Sequence, residues 1–280
     1  MPMIGPLVLG ASGEIGRSLA RVWAMTVPEA GPGLWQHRPG AATPPDVPTL
    51  SWNILTEAPP ALPAGLSGIV VLAGVTSGDA AALALNTSLA EAALALARTH
   101  GIARVLLASS QAVYGAHPGP AQENSLCAPL SAYGAAKLAM EQALAGAPEV
   151  TALRIGNYAG SGALFRAARQ GPVVLDQFPD GRSPRRSYIG PVSLARVLAA
   201  LLAHPGPLPP VLNVALPGGV EMAALLEAAA LPFTLRPAPP TALAKAVMDV
   251  TRLEGVLRLP LATAGALVAE ARAGRLLALS

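Results

Sequence analysis

Short apolar runs punctuated by glycine and proline alternate with longer alanine-rich stretches along this chain, which is how strands alternating with helices read. Runs at 3–9, 33–37, 49–52, 68–73, 103–109 and 150–155 are strand candidates, and the chain returns to that pattern at 211–215. Helical spacing covers 17–25, 80–100 and 132–145. The proline-rich breaks at 39–48 and 57–63 read as surface loops within one unit. Strands that alternate with helices predict an α/β fold built on a doubly wound parallel sheet.

Composition changes this picture little. With 280 residues there is room for a sheet domain of ~150–180 residues and a smaller lobe. A hydrophobic content of 52% would suit a membrane protein, but much of it is alanine. Asn86, Glu91, Arg98, Glu141 and Glu227 interrupt the apolar stretches before ~20 positions accumulate, so no membrane span is expected. No basic segment precedes the first strand, which argues against a signal peptide. Cys127 is the sole cysteine; an internal disulfide is excluded and a cytoplasmic location expected. The net charge is +3, yet the arginines are scattered without interleaved aromatics, so nucleic acid is not an expected partner.

Lysine usage is more telling. Of 19 basic residues only Lys137 and Lys245 are lysine, and Lys137 follows Tyr133 by four. On a helix that spacing puts phenol and ammonium on one face. A free tyrosine titrates near pH ~10, and an adjacent positive charge lowers that value and makes the phenol a usable acid or base. An amphipathic helix can also place Tyr and Lys four apart by chance.

At the other end of the domain, the first strand runs into Gly10-Ala11-Ser12-Gly13-Glu14-Ile15-Gly16 and then a helix. Glycines here let the backbone approach a dinucleotide's diphosphate, whose charge meets the helix N-terminus. Between the two motifs lies Ser109-Ser110-Gln111-Ala112-Val113-Tyr114-Gly115.

Together these segments resemble the extended short-chain dehydrogenase/reductases, the NAD(P)-dependent epimerase/dehydratase family typified by UDP-galactose 4-epimerase. Asn86, Leu153-Arg154-Ile155-Gly156-Asn157, Arg186-Ser187-Tyr188-Ile189, Asn213-Val214 and Asp249 with Leu253 resemble further family segments in order, so the likeness spans nearly the whole chain. It implies a Rossmann domain over 1–157 with returning segments near 186–215, and a substrate lobe from 158–185 and 216–280. It also implies a Ser110–Tyr133–Lys137 triad. Ser110 would bind the substrate oxygen, Tyr133 exchange its proton, and Lys137 tune Tyr133 and hold the nicotinamide ribose.

The resemblance assigns the cofactor to Gly10, Ser12, Gly13, Glu14, Ile15, Gly16, Arg38, Asn53, Ile54, Leu72, Ala73, Gly74 and Ala108, besides Tyr133 and Lys137. It assigns the substrate to Thr76, Ser109, Gln111, Asn157 and Arg186. No metal is expected. The second strand ends Gln36-His37-Arg38 without an acid, and an arginine there suits the 2′-phosphate, so NADP(H) is favoured over NAD(H).

Departures narrow the chemistry. Gln111-Ala112 replaces the Asp-Glu of 4,6-dehydratases, which disfavours that reaction, and Gly190-Pro191-Val192-Ser193 replaces an acidic family segment. The resemblance implies as substrate a sugar, nucleotide sugar or related hydroxy or carbonyl compound, with redox and epimerisation both open; a non-catalytic NADP-binding sensor or scaffold is the alternative. Arg182, Arg185 and Arg186 stand close together, either as a solvated edge or as an anion site. The alanine-rich helices over 80–100 and 132–145 correspond to those that pair in the family, so a homodimer through four helices is expected.

Overall fold

A computed structural model describes residues 4–44 and 47–278. Met3 of the first expected strand, Pro45 and Asp46 of the first loop, and Leu279 and Ser280 lie outside the described residues. The first half alternates as the apolar pattern requires: β1 (Gly5–Leu9), α1 (Glu14–Thr26), β2 (Leu34–His37), β3 (Thr49–Ser51), β4 (Leu66–Val71), α2 (Ala80–Thr99), β5 (Val105–Ser110), α3 (Ala132–Ala143) and β6 (Val150–Ile155). The expected strands all form, with ends shifted by up to two residues at most positions.

The second half is more broken. It runs through β7 (Asn157–Tyr158), α4 (Gly162–Ala168), β8 (Val173–Gln177), β9 (Arg185–Arg186), β10 (Tyr188–Ile189), α5 (Pro191–Ala203) and β11 (Val211–Val214). It ends with β12 (Val220–Glu221), α6 (Met222–Ala228), β13 (Phe233–Pro237), β14 (Lys245–Ala246), α7 (Thr251–Glu254) and α8 (Ala264–Ala273).

Seven strands form one parallel sheet in the order β3-β2-β1-β4-β5-β6-β11. The chain reverses direction across the sheet between β1 and β4, and the strand ends there open a crevice. Alternation along β1 sends Val8 to one face, with α1 and α5, and Leu7 and Leu9 to the other, with α2 and α3. Both faces are dry, as a parallel sheet demands.

Helix α2 is long and apolar enough to cross a membrane by length and composition, with a mean hydropathy of 1.5, contrary to the expectation that charges would break every such run. Its Leu83, Ala90, Ala93, Leu96 and Ala97 are buried, the last four against the sheet. The same length and hydropathy therefore serve as one layer of the core.

A separate apolar cluster fills the smaller lobe, where Phe165, Leu175, Leu225, Leu226 and Leu267 pack together. Its strands β8 and β13 pair in parallel. Met248, Val250 and Leu253 return to the core under the main sheet, so the last part of the chain is threaded back onto the sheet rather than appended to it.

Candidate active site

The turn after β1 is shaped by two glycines. Gly10 has φ +94°, and a Cβ there would collide with the Ala73 backbone at the end of β4; a Cβ on Gly16 would strike the Gly10 carbonyl. The turn therefore lies flat between two strand ends. No side chain caps α1 at Gly13, which leaves the N–H groups of its first turn facing the crevice.

A cleft of about 380 Å³ opens there. It brings together Gly10, Ser12, Gly13, Arg38, Asn53, Ile54, Leu72, Ala73 and Gly74, nine of the residues that the resemblance assigns to a cofactor. Gln36, Thr56, Val75, Leu85 and Leu89 join them. Gln36 is buried, accepts from Gly10 N–H at 3.0 Å and donates to the Trp52 carbonyl. The signal that could have found it was the absence of an acid at the tip of β2.

Other expected cofactor residues stand elsewhere. Ile15 packs into the core, and the Glu14 carboxylate turns to the small lobe, accepting from Ser161 and from Arg169 at 3.0 Å. Ala108 contributes its carbonyl, which accepts from Lys137 Nζ at 2.8 Å. A turn whose Cβ space is filled by backbone, an uncapped helix start and an arginine on the rim are the donor set a dinucleotide diphosphate and ribose require.

Tyr133 and Lys137 project from α3 toward the end of β5. Ser131 begins the helix by accepting from Gly134 N–H at 3.1 Å. Burial raises the Tyr133 pKa, and the nearby Ser110 side chain, whose Oγ accepts from Ala112 N–H at 3.2 Å, pulls the other way. Lys137 is not among the groups acting on that phenol, which corrects the expectation that its charge would lower the Tyr133 pKa here. Instead its ammonium is buried, and burial lowers its pKa to about 8 against the opposing attraction of Glu141.

Gly74 marks where this cleft and α3 meet. A Cβ there would lie 2.8 Å from Asn86 Oδ1 and 3.2 Å from Lys137 Nζ. Asn86 holds the neighbouring backbone, accepting from Val75 N–H at 3.1 Å and donating to the Val75 carbonyl at 2.9 Å. The Asn86 motif is thus a brace for the cleft floor.

A second cleft of about 130 Å³ brings together Gln111, Asn157 and Arg186, three of the five expected substrate residues, with Tyr114, His117 and Met248. Ser109 is not there: its hydroxyl donates to Glu141 beneath the sheet end. Thr76 is exposed beyond Val75 and lines neither cleft. The arginine group also separates. Arg182 lies 3.9 Å from Glu221, Arg185 donates to the Gly219 carbonyl, and only Arg186 reaches the cleft, because adjacent strand residues point to opposite faces.

The Arg186 guanidinium is partly buried and donates to the carbonyls of Arg185, Leu243 and Ala244. Burial lowers its pKa, and among the described residues no carboxylate pairs with it. Gln111 Oε1 is likewise buried without a hydrogen-bond partner.

Comparison with known proteins agrees with this geometry. The NAD dependent epimerase/dehydratase family model matches residues 6–215. No curated protein sequence matched. Among solved structures, UDP-glucose 4-epimerase from Bifidobacterium longum, in complex with NAD+ and UDP, is 18% identical with a TM-score of 0.74, covering 97% of this chain and 98% of that one. UDP-N-acetylglucosamine 4-epimerase from Methanobrevibacter ruminantium M1 is 18% identical with a TM-score of 0.75, covering 98% and 97%. MoeE5, in complex with UDP-glucuronic acid and NAD, is 23% identical with a TM-score of 0.73, covering 97% and 99%. The likeness to these structures lies in the fold, and the family match spans three quarters of the chain: this protein belongs to the NAD-dependent epimerase/dehydratase family.

Proposed function

We infer that this chain catalyses oxidation–reduction or epimerisation at a hydroxyl-bearing carbon of a nucleotide sugar or a related phosphorylated compound, with Ser110, Tyr133 and Lys137 as the catalytic residues. The observation that carries this reading is the placement of Lys137, which shares α3 with Tyr133 and whose buried ammonium donates to the Ala108 carbonyl at the end of β5 and lies beside Gly74 on the cofactor cleft. The dinucleotide supplies a hydride acceptor and donor at its nicotinamide. Gly10, Ser12 and Gly13 with the first turn of α1 would hold its diphosphate, Arg38 and Asn53 its adenosine end, and Leu72–Val75 its underside.

Each side chain then has one task. Ser110 holds the substrate oxygen by a hydrogen bond. Tyr133, as phenolate, accepts the hydroxyl proton while the carbon loses hydride, and returns that proton on reduction. Lys137 binds the nicotinamide ribose. Arg186 pairs with an anionic group of the substrate, since its charge has no carboxylate partner among the described residues. Gln111 Oε1 accepts from a substrate hydroxyl.

NADP(H) is the preferred cofactor in this reading. A neutral Gln36 stands where an acid would repel a 2′-phosphate, and exposed Arg38 lies on the same rim. The active form is a homodimer joined through α2 and α3, whose outer faces show Ala81, Ala84, Ala95, Ala135 and Ala139 to solvent.

Replacing Tyr133 with phenylalanine tests the reading. Turnover on nucleotide sugars should fall ~10²–10⁴-fold with cofactor binding intact, since the ring still packs and only the proton carrier is gone. A variant within about tenfold of the parent would overturn the assignment. A nicotinamide that ends each turnover in its starting oxidation state identifies epimerisation; net change identifies a dehydrogenase or reductase.

A further inference from the structure

A third cleft, of about 260 Å³, lies away from both sites, where the side of α1 meets the small lobe and the C-terminal segment. Arg17 and Arg21 of α1, Arg169 after α4, and Arg275 after α8 line it, with Glu14 as its one carboxylate. Four guanidiniums against one carboxylate leave a net of three positive charges around a small concavity. Like charges at this density repel, at a cost that falls only where solvent or a counter-anion screens them.

One wall of the cleft is closely packed. Gly274 packs so closely that a Cβ would lie 2.8 Å from Pro191 and 3.1 Å from Ser18, which pins the end of α8 against α1 and α5. Immediately after it, Arg275 holds φ +54°, a left-handed conformation shared among the described non-glycine residues only with Ala230. Such a backbone costs roughly 1 kcal/mol or more and is tolerated where the surroundings enforce it.

Arg169 is fixed across the cleft. Its Nη2 donates to the Gly160 carbonyl at 2.7 Å and meets Glu14 at 3.0 Å, with the Leu276 carbonyl at 3.4 Å. Arg17 donates to the Ser12 carbonyl in the glycine-rich turn. The sole carboxylate is therefore already engaged, by Arg169 and by the Ser161 hydroxyl. Among the described residues Arg21 and Arg275 have no ion-pair partner.

We propose that this cleft is a second anion site, which binds a small di- or polyphosphate between Arg21, Arg169 and Arg275 and fastens the small lobe to α1. Planar guanidinium forks match phosphate oxygens in pairs, and three of them from three separate elements surround the cleft as phosphate recognition needs. The site is separate from the dinucleotide cleft and from Arg186, so its ligand is an additional one, and binding there ties together elements that also carry the cofactor turn.

Inorganic pyrophosphate titrated into the NADP-saturated protein is the test, read by calorimetry and by thermal unfolding. The parent should bind it and unfold at a higher temperature. Arg186→Ala should retain this site, whereas Arg21→Gln with Arg275→Gln should weaken it at least tenfold without changing NADP affinity or turnover. Two binding events, one removed by each variant, would also support the proposal. Absence of binding to the saturated protein would overturn it, as would binding lost only in Arg186→Ala or unchanged in both variants.

Discussion

The Arg154 guanidinium meets the Glu141 carboxylate at 2.7 Å with both side chains only 6% exposed, one helical turn beyond Lys137. Burial works against the Arg154 charge, but hydrogen bonds and attraction from Glu141 outweigh it and raise its pKa. The same carboxylate accepts from Ser109 and favours the charged form of Lys137, while Arg154 lies 4.8 Å above the Tyr114 ring. The end of β5, α3 and β6 are thus tied by one polar cluster.

Removing one half of that pair should be costly. Glu141→Gln leaves a buried guanidinium without its countercharge, and breaking a buried pair typically costs ~3–5 kcal/mol. Urea unfolding should show a lower midpoint with an unchanged slope. A variant as stable as the parent would mean that solvent or a neighbouring group replaces the carboxylate.

Lys137 makes stability depend on pH in a defined direction. Its folded pKa of about 8 lies below the 10.5 of an ordinary lysine, so between those limits the unfolded chain holds a proton that the folded chain has released. Stability from this group therefore rises as pH increases from about 8 to about 10.5, and its destabilising effect is full below that window. At 1.36 kcal/mol per unit the total is roughly 3 kcal/mol. The difference in unfolding free energy between parent and Lys137→Met should shrink or grow across that window by this amount, in favour of the parent at high pH. A flat difference would show that the ammonium is better solvated than its burial implies.

Cofactor choice can be read from Arg38. Arg38→Ala should weaken NADPH binding at least tenfold and leave NADH nearly unchanged, since the side chain is exposed and braces nothing else. Fluorescence titration of both dinucleotides checks this, and equal loss for both would move the phosphate contact elsewhere.

Gly74→Ala should damage cofactor binding and turnover together. The added methyl meets Asn86 Oδ1 at 2.8 Å and Lys137 Nζ at 3.2 Å, so either the floor or the ammonium must shift. A fall of tenfold or more in kcat/KM is expected, with only a modest change in melting temperature.

Sedimentation at micromolar concentration should show a dimer. Ala84→Arg, on the exposed face of α2, should shift it to the monomer with the fold intact. A monomeric parent would leave the small-residue faces of α2 and α3 without the partner proposed for them.

The sequence alone determined the sheet and the position of its chemistry. Strand runs and glycine spacing are local properties: a buried strand must be apolar, Gly10 must reach a positive φ, and Tyr133 and Lys137 share a face because helical geometry puts them there. Tertiary structure decided everything that depends on where distant side chains turn. Ser109 and Ser110 are adjacent in sequence, yet Ser109 donates to Glu141 while Ser110 accepts from Ala112 N–H at the start of the following turn. The same alternation split Arg185 from Arg186, and Glu14 left the cofactor turn for Arg169, 155 positions away. The Arg17–Arg21–Arg169–Arg275 cleft was invisible for the same reason. Its charges come from three chain segments, and only packing of α8 and the C-terminal segment on α1 brings them within reach of one ligand.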